Sequence, residues 1–172
     1  WHDYREHGRD FPDEASLPPM EELVKAARHT DLEKVVVDKE AGTVYLEDPE
    51  MSLDVGAVAK GYATELVVRE LVAAGLKSGM VSAGGNVRAI GMPFDGVRKR
   101  WGVGIQDPDK FVFADDALLD VVYINDASVV SSGDYERYYI VDGEVYHHLI
   151  DPDTLMPAEH YRAITVVTED SG

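Results

Sequence analysis

The sequence predicts an α+β fold, mainly antiparallel strands with one long helix, and three observations carry that reading. Apolar residues at 58, 62, 63, 66, 67, 71 and 74 keep helical spacing from Ala57 to Ala74, and Gly75 supplies a stop. Short runs rich in β-branched and aromatic residues recur along most of the rest, bounded by turn signals. Helices do not alternate with these strands, as a doubly wound α/β sheet would require.

Taken in order, residues 1–19 read as loop, ending at Pro18-Pro19. Residues 20–29 read as a short helix after that stop, with acids in the first turn and bases in the last. "KVVVDKEAGTVYLED" reads as a hairpin, with strands at 34–38 and 43–47 and a turn containing Gly42. After the long helix, strands are predicted at 79–83, 86–91, 101–106, 118–124, 127–131, 136–141, 144–150 and 162–168. Asp142-Gly143 gives the clearest hairpin signal, since Asp-Gly suits a type I′ turn.

Composition bounds the function. The 172 residues carry 16 Lys and Arg against 33 Asp and Glu, a net charge of −17. That field repels nucleic acid and anionic membranes, so a phosphate-bearing ligand must be met by local groups. Cysteine is absent, which excludes disulfides and thiolate metal sites and leaves the compartment open. No apolar run reaches 18 residues, and no stretch of these residues reads as a signal peptide. The reading is one domain. The chain begins with Trp1 rather than Met and stops directly after a strand-like run, so it is expected to be a piece of a longer protein.

Four stretches carry possible chemistry. In "LDVGAVAKGYATELVVREL", small residues lead into a helix whose N-terminal amides suit an anion, and Lys60 adds a full charge at that mouth. A first-turn lysine opposes the helix dipole, a local mismatch of the kind functional sites show. Gly56 and Gly61 relieving crowding beside a solvated Lys60 explain the stretch equally well. It matches neither G-x-G-x-x-G nor G-K-[ST]. In "VSAGGNVRAIG", Gly84 and Gly85 permit close backbone approach and Asn86 can bond a ribose or phosphate, although local pattern favours a plain hairpin turn. In "VYHHLIDPDT", His147 and His148 are strand neighbours, so at most one faces a given site. Histidine suits proton transfer near neutral pH, with Asp151 at the strand end; an exposed histidine beside a satisfied one, then an Asp-Pro turn, is the bland alternative. "SSGDYERYY" offers Ser132 and the Gly133 backbone to a ligand, or is simply a turn before a strand.

In sequence order, "LDVGAVAKGYA", "SAGGNVRAIG", "WGVGIQDP", "SSGDYERYY" and "YHHLIDPDT" resemble the successive blocks of the ApbE family, the FAD:protein FMN transferases. The resemblance runs from about Trp1 to Gly172, and D-x-G-x-x-A-K-G and H-x-I-D-P are its specific blocks. It implies a T-fold-like core, of which this chain would be the central part. It also implies magnesium-dependent cleavage of the FAD pyrophosphate, with FMN moved through a phosphoester bond onto a Thr or Ser of an acceptor and AMP released. Acceptors would be flavoprotein subunits of the quinone reductase or Rnf type. The full-length protein would be extracytoplasmic and lipid-anchored.

By the same resemblance, the Ala57 carbonyl serves magnesium and Lys60 lies close to the FAD pyrophosphate. Gly84, Gly85 and Asn86 line the dinucleotide, with Ser132 and Gly133 as further cofactor contacts. His148 takes part in proton transfer from the acceptor hydroxyl, and Asp151 supports the geometry. Leu155 stands where the family usually has Gly, which is expected to alter the turn after Asp151. The family's A-D-x-x-[ST]-T block, which helps bind the metal, falls outside the chain. This chain alone is therefore expected to bind flavin or magnesium poorly. Two rival readings are a FAD pyrophosphatase or flavin-binding protein without transfer, and a domain that keeps the fold and has lost the site.

Overall fold

The computed structural model describes residues 1–110 and 114–172. In chain order these form α1 (His2–Asp10), α2 (Met20–Ala27), β1 (Val35–Asp38), β2 (Thr43–Leu46), α3 (Gly56–Ala73), β3 (Gly79–Ser82), β4 (Asn86–Ile90), β5 (Trp101–Gln106), β6 (Leu118–Ile124), β7 (Ser128–Gly133), β8 (Tyr138–Val141), β9 (Glu144–His147) and β10 (Ala163–Thr168). Among the described residues every strand pair is antiparallel and α3 is the one long helix, so the α+β expectation holds. None of the described helices is long and apolar enough to cross a membrane. The residues gather into two compact units, Trp1–Asp54 with Asp134–His160, and Val55–Gly133 with Tyr161–Gly172.

In the first unit, α1 replaces the loop that the sequence suggests for residues 1–19. Its residues lack an apolar stripe, and its order comes from packing. Gly8 lies against the Tyr139 ring so closely that a Cβ there would meet Cδ2 at 2.6 Å. Trp1 stacks on Tyr146 and sets its edge toward Tyr139, and its indole N–H donates to the Leu155 carbonyl at 2.7 Å. The β8–β9 hairpin turns at Asp142 (φ 51°) and Gly143 (φ 86°), as the Asp-Gly signal predicts. β9 ends at His147, earlier than the predicted run to 150; beyond it Ile150 makes only an isolated bridge to Pro157.

The second unit is a four-stranded sheet in the order β10-β7-β4-β3, a β5–β6 pair, and α3. Its core is Ala89, Val103, Ile124 and Val129, with Trp101, Val87 and Val122 packed around them. β7 extends through Ser132 and Gly133, where the sequence suggests a turn, because both pair with β10, opposite Ile164 and Ala163.

The ends of α3 fall where predicted, and its C-terminus is closed by Leu76 N–H to the Leu71 carbonyl, with Gly75 at φ 98°. Its buried face is less expected: Gly61, Thr64, Glu65 and Val68. The apolar residues Val58 and Tyr62 are 65% and 59% exposed. A glycine and short or hydrogen-bonded side chains let the helix approach the sheet more closely than an apolar ridge would.

Candidate functional site

The start of α3 and the β3–β4 turn meet in the second unit. Gly84 and Gly85 hold left-handed φ of 46° and 75°, a conformation that costs a side-chain-bearing residue about 1–2 kcal/mol. The turn is tied at both sides, by Ala83 N–H to the Asn86 carbonyl (2.8 Å) and by Ser131 N–H to the Gly85 carbonyl (2.7 Å). Lys60 donates its ammonium to the Gly84 carbonyl at 3.0 Å and remains exposed. The lysine and the glycine turn, singled out separately in the sequence, are thus in contact.

Asn86 is different, being only 3% exposed, with its amide bonded to the Ser171 hydroxyl at 3.0 Å. It supports the turn from behind. Ser132 is exposed on β7 and Gly133 is buried in the same strand. Ala57 is the second residue of α3, where its carbonyl is directed along the helix toward the amide four residues on. Magnesium takes about six oxygens in octahedral array. Among the described residues no three His, Asp or Glu side chains converge, so those present do not by themselves fit the ion.

The other predicted residues belong to the first unit. His147 is the satisfied histidine: its Nδ1 accepts from Leu149 N–H at 3.2 Å, which leaves Nε2 to donate to the Ala158 carbonyl at 3.1 Å. His148 is partly exposed, and its Nδ1 sits 3.2 Å from the Arg137 carbonyl. A carbonyl there selects the Nδ1–H tautomer and leaves Nε2 as an acceptor. Burial pushes the His148 pKa below the ordinary 6.5; the Arg137 carbonyl opposes this, while the charges of Arg137 and Arg5 reinforce it. Arg5 and Arg137 also line a cleft of about 680 Å³ together with His2, Arg9, Asp54 and Tyr138.

Asp151 Oδ1 accepts from the backbone N–H of Asp153 (2.8 Å) and Thr154 (3.3 Å), with His160 3.7 Å from Oδ2. Those amides, Asp153 first, hold its carboxyl below the usual range. Leu155 closes this turn at φ 61°, so the turn survives with a leucine in a glycine's conformation.

Sequence reasoning missed Glu65, Arg88, Ser128 and Ser171, which interlock beneath Asn86. The available signal was a carboxylate at the Gly61, Thr64, Val68 spacing of α3.

The second unit is thus an antiparallel α+β scaffold with a lysine on a glycine turn at a helix mouth, and the first unit carries a histidine whose Nε2 is left as an acceptor. The ApbE family model matches residues 1–172, and the chain belongs to that family. It is 34% identical over 167 residues to the FAD:protein FMN transferase of Klebsiella pneumoniae (strain 342), covering 96% of this chain and 47% of the relative. With the FAD:protein FMN transferase of Treponema pallidum (strain Nichols) the identity is 39% over 157 residues, 85% of this chain and 42% of the relative. The crystal structure of an ApbE protein from Thermotoga maritima superposes with a TM-score of 0.81 at 34% identity, over 92% of this chain and 49% of that one. The apo flavinyl transferase ApbE of Pseudomonas stutzeri gives 0.70 at 29% identity, over 91% and 46%. The chain thus spans a little under half the length of these curated relatives.

Proposed function

We propose that the protein containing this chain moves FMN from FAD onto a Thr or Ser hydroxyl of an acceptor flavoprotein and releases AMP. The observation that carries the reading is His148, held with Nδ1 on the Arg137 carbonyl and neutral near pH 7, in a chain whose relatives are named for this transfer. The acceptor oxygen forms a bond to the FMN phosphorus as the bond from that phosphorus to the bridging oxygen breaks. His148 Nε2 takes the hydroxyl proton, and AMP leaves with the bridging oxygen. Lys60, at the α3 mouth, faces the pyrophosphate with Gly84 and Gly85, where a positioned cation stabilises charge through the transfer.

Ser132 and Gly133 as flavin contacts, Asp151 as the support of His148, and the Ala57 carbonyl as a magnesium ligand belong to the same proposal. So do magnesium dependence, an acceptor of the quinone reductase or Rnf type, and an extracytoplasmic, lipid-anchored full-length protein. Magnesium is argued from the polyanionic charge of FAD against a chain of net −17, and EDTA is expected to stop turnover.

The test is mass spectrometry of an acceptor domain incubated with FAD, magnesium and the full-length protein. A gain of one FMN on a Thr or Ser supports the transferase. AMP and free FMN without that gain identify a pyrophosphatase, and no product at all leaves a domain that has lost its site. Lys60→Ala is expected to raise the KM for FAD.

A further inference from the structure

Beneath the glycine turn lies a buried carboxylate that the proposed chemistry does not use. Glu65 is 4% exposed. Its Oε1 accepts from the backbone N–H of Ser171 at 3.0 Å and from the hydroxyls of Ser171 and Ser128 at 3.2 Å each. Arg88 Nε stands 3.1 Å from Oε1 and 3.2 Å from Oε2. Donors from β4, β7 and residues 169–172 therefore converge on one helical side chain.

Gly61 makes room for that arrangement, since a Cβ there would sit 1.7 Å from the Ser171 carbonyl oxygen. Arg69 holds the preceding residue, Asp170, by its carboxylate at 2.8 Å. The bonds close a ring: Lys60 to the Gly84 carbonyl, Gly84 through Gly85 to Asn86, Asn86 to Ser171, Ser171 to Glu65, and Glu65 back along α3 to Lys60. Lys60 thus joins α3 to the turn directly, and Glu65 joins it a second time through Ser171 and Asn86.

We infer that Glu65 is a positioning residue, which fixes the Gly84–Gly85 turn against Lys60 by strapping residues 169–172 across Gly61 and Asn86. The inference rests on the reading of Lys60 and the glycine turn as the FAD phosphate wall. Glu65→Gln keeps the shape but turns an amide NH2 toward converging donors, and Ser171→Ala removes the hydroxyl's bonds to Asn86, Glu65 and Ser128 and leaves the backbone N–H bond to Glu65.

In the full-length protein, FAD binding is read from flavin fluorescence, with KM and kcat measured separately. Both variants are expected to weaken FAD binding about tenfold while kcat at saturating FAD stays within about threefold. Should Glu65→Gln fail to fold, Ser171→Ala decides. Parent-like FAD affinity in the variants, even with a lower melting temperature, would reduce Glu65 to packing and overturn the inference. A parent protein that binds no FAD would overturn the phosphate-wall reading itself, and the inference with it.

Discussion

The Arg137 carbonyl does two things to His148: it fixes the proton on Nδ1, and it leaves Nε2 as an acceptor, the base of the proposed transfer. With its pKa pushed below 6.5, the imidazole stays neutral into mildly acidic solution, so the acid limb of kcat/KM is expected below pH 6.5. The sign for stability follows from the same shift. Above the ordinary histidine value His148 adds no pH dependence; as pH falls through 6.5 toward the folded value, the unfolded chain binds the proton first and stability declines. His148→Gln, assayed by FMN transfer, is expected to lose about 10²–10⁴-fold with the fold intact. Leu155 offers a test independent of catalysis. Its φ of 61° places a branched side chain in the left-handed region, so Leu155→Gly should stabilise the protein by about 0.5–1 kcal/mol, the relief exceeding glycine's entropy cost. Thermal denaturation would show it as a higher Tm.

At the scale of elements, α1 and α3 show what local sequence carries. The span of α3 was legible from apolar spacing and Gly75, but its buried face was not. Which side of a helix packs depends on what approaches it, and here residues 169–172 need Gly61 and Glu65. The order of α1 was illegible because its partners, Tyr139 and Tyr146, lie more than 120 residues away. The glycine turn and the division of labour between His147 and His148 were legible as alternatives, since strand alternation lets only one of two neighbours face a site. The Lys60 to Gly84 contact was not, because nothing local specifies it. Packing also reverses a propensity rule at Gly8. Alanine favours a helix by about 1 kcal/mol, but the added methyl would strike Tyr139, whose ring is 3% exposed and whose hydroxyl donates to the Ser16 carbonyl. Gly8→Ala is expected to destabilise by about 1–2 kcal/mol net, measured by urea unfolding.

Across the whole molecule, charge sets the terms for a polyanionic substrate. A chain of −17 repels a polyanion such as FAD at long range, while on the proposed reading Lys60 and the α3 mouth would attract it only at contact. Raising ionic strength from about 10 to about 150 mM shortens the screening length from about 30 to about 8 Å, and the KM for FAD is expected to fall severalfold. A rise instead would mean that local basic groups dominate the approach. The pairing of β7 with β10 bears on a separate matter, modular engineering. Gly133 and Ala163 face each other across an antiparallel pair, a separation of about 5 Å that a two-residue hairpin spans. Residues 134–162 therefore leave the sheet and return to it at one spot. A two-residue linker in their place, together with removal of residues 1–54 that complete the first unit, would turn β7 and β10 into an ordinary hairpin and leave the second unit as a miniature scaffold, with Lys60 and its glycine turn on board.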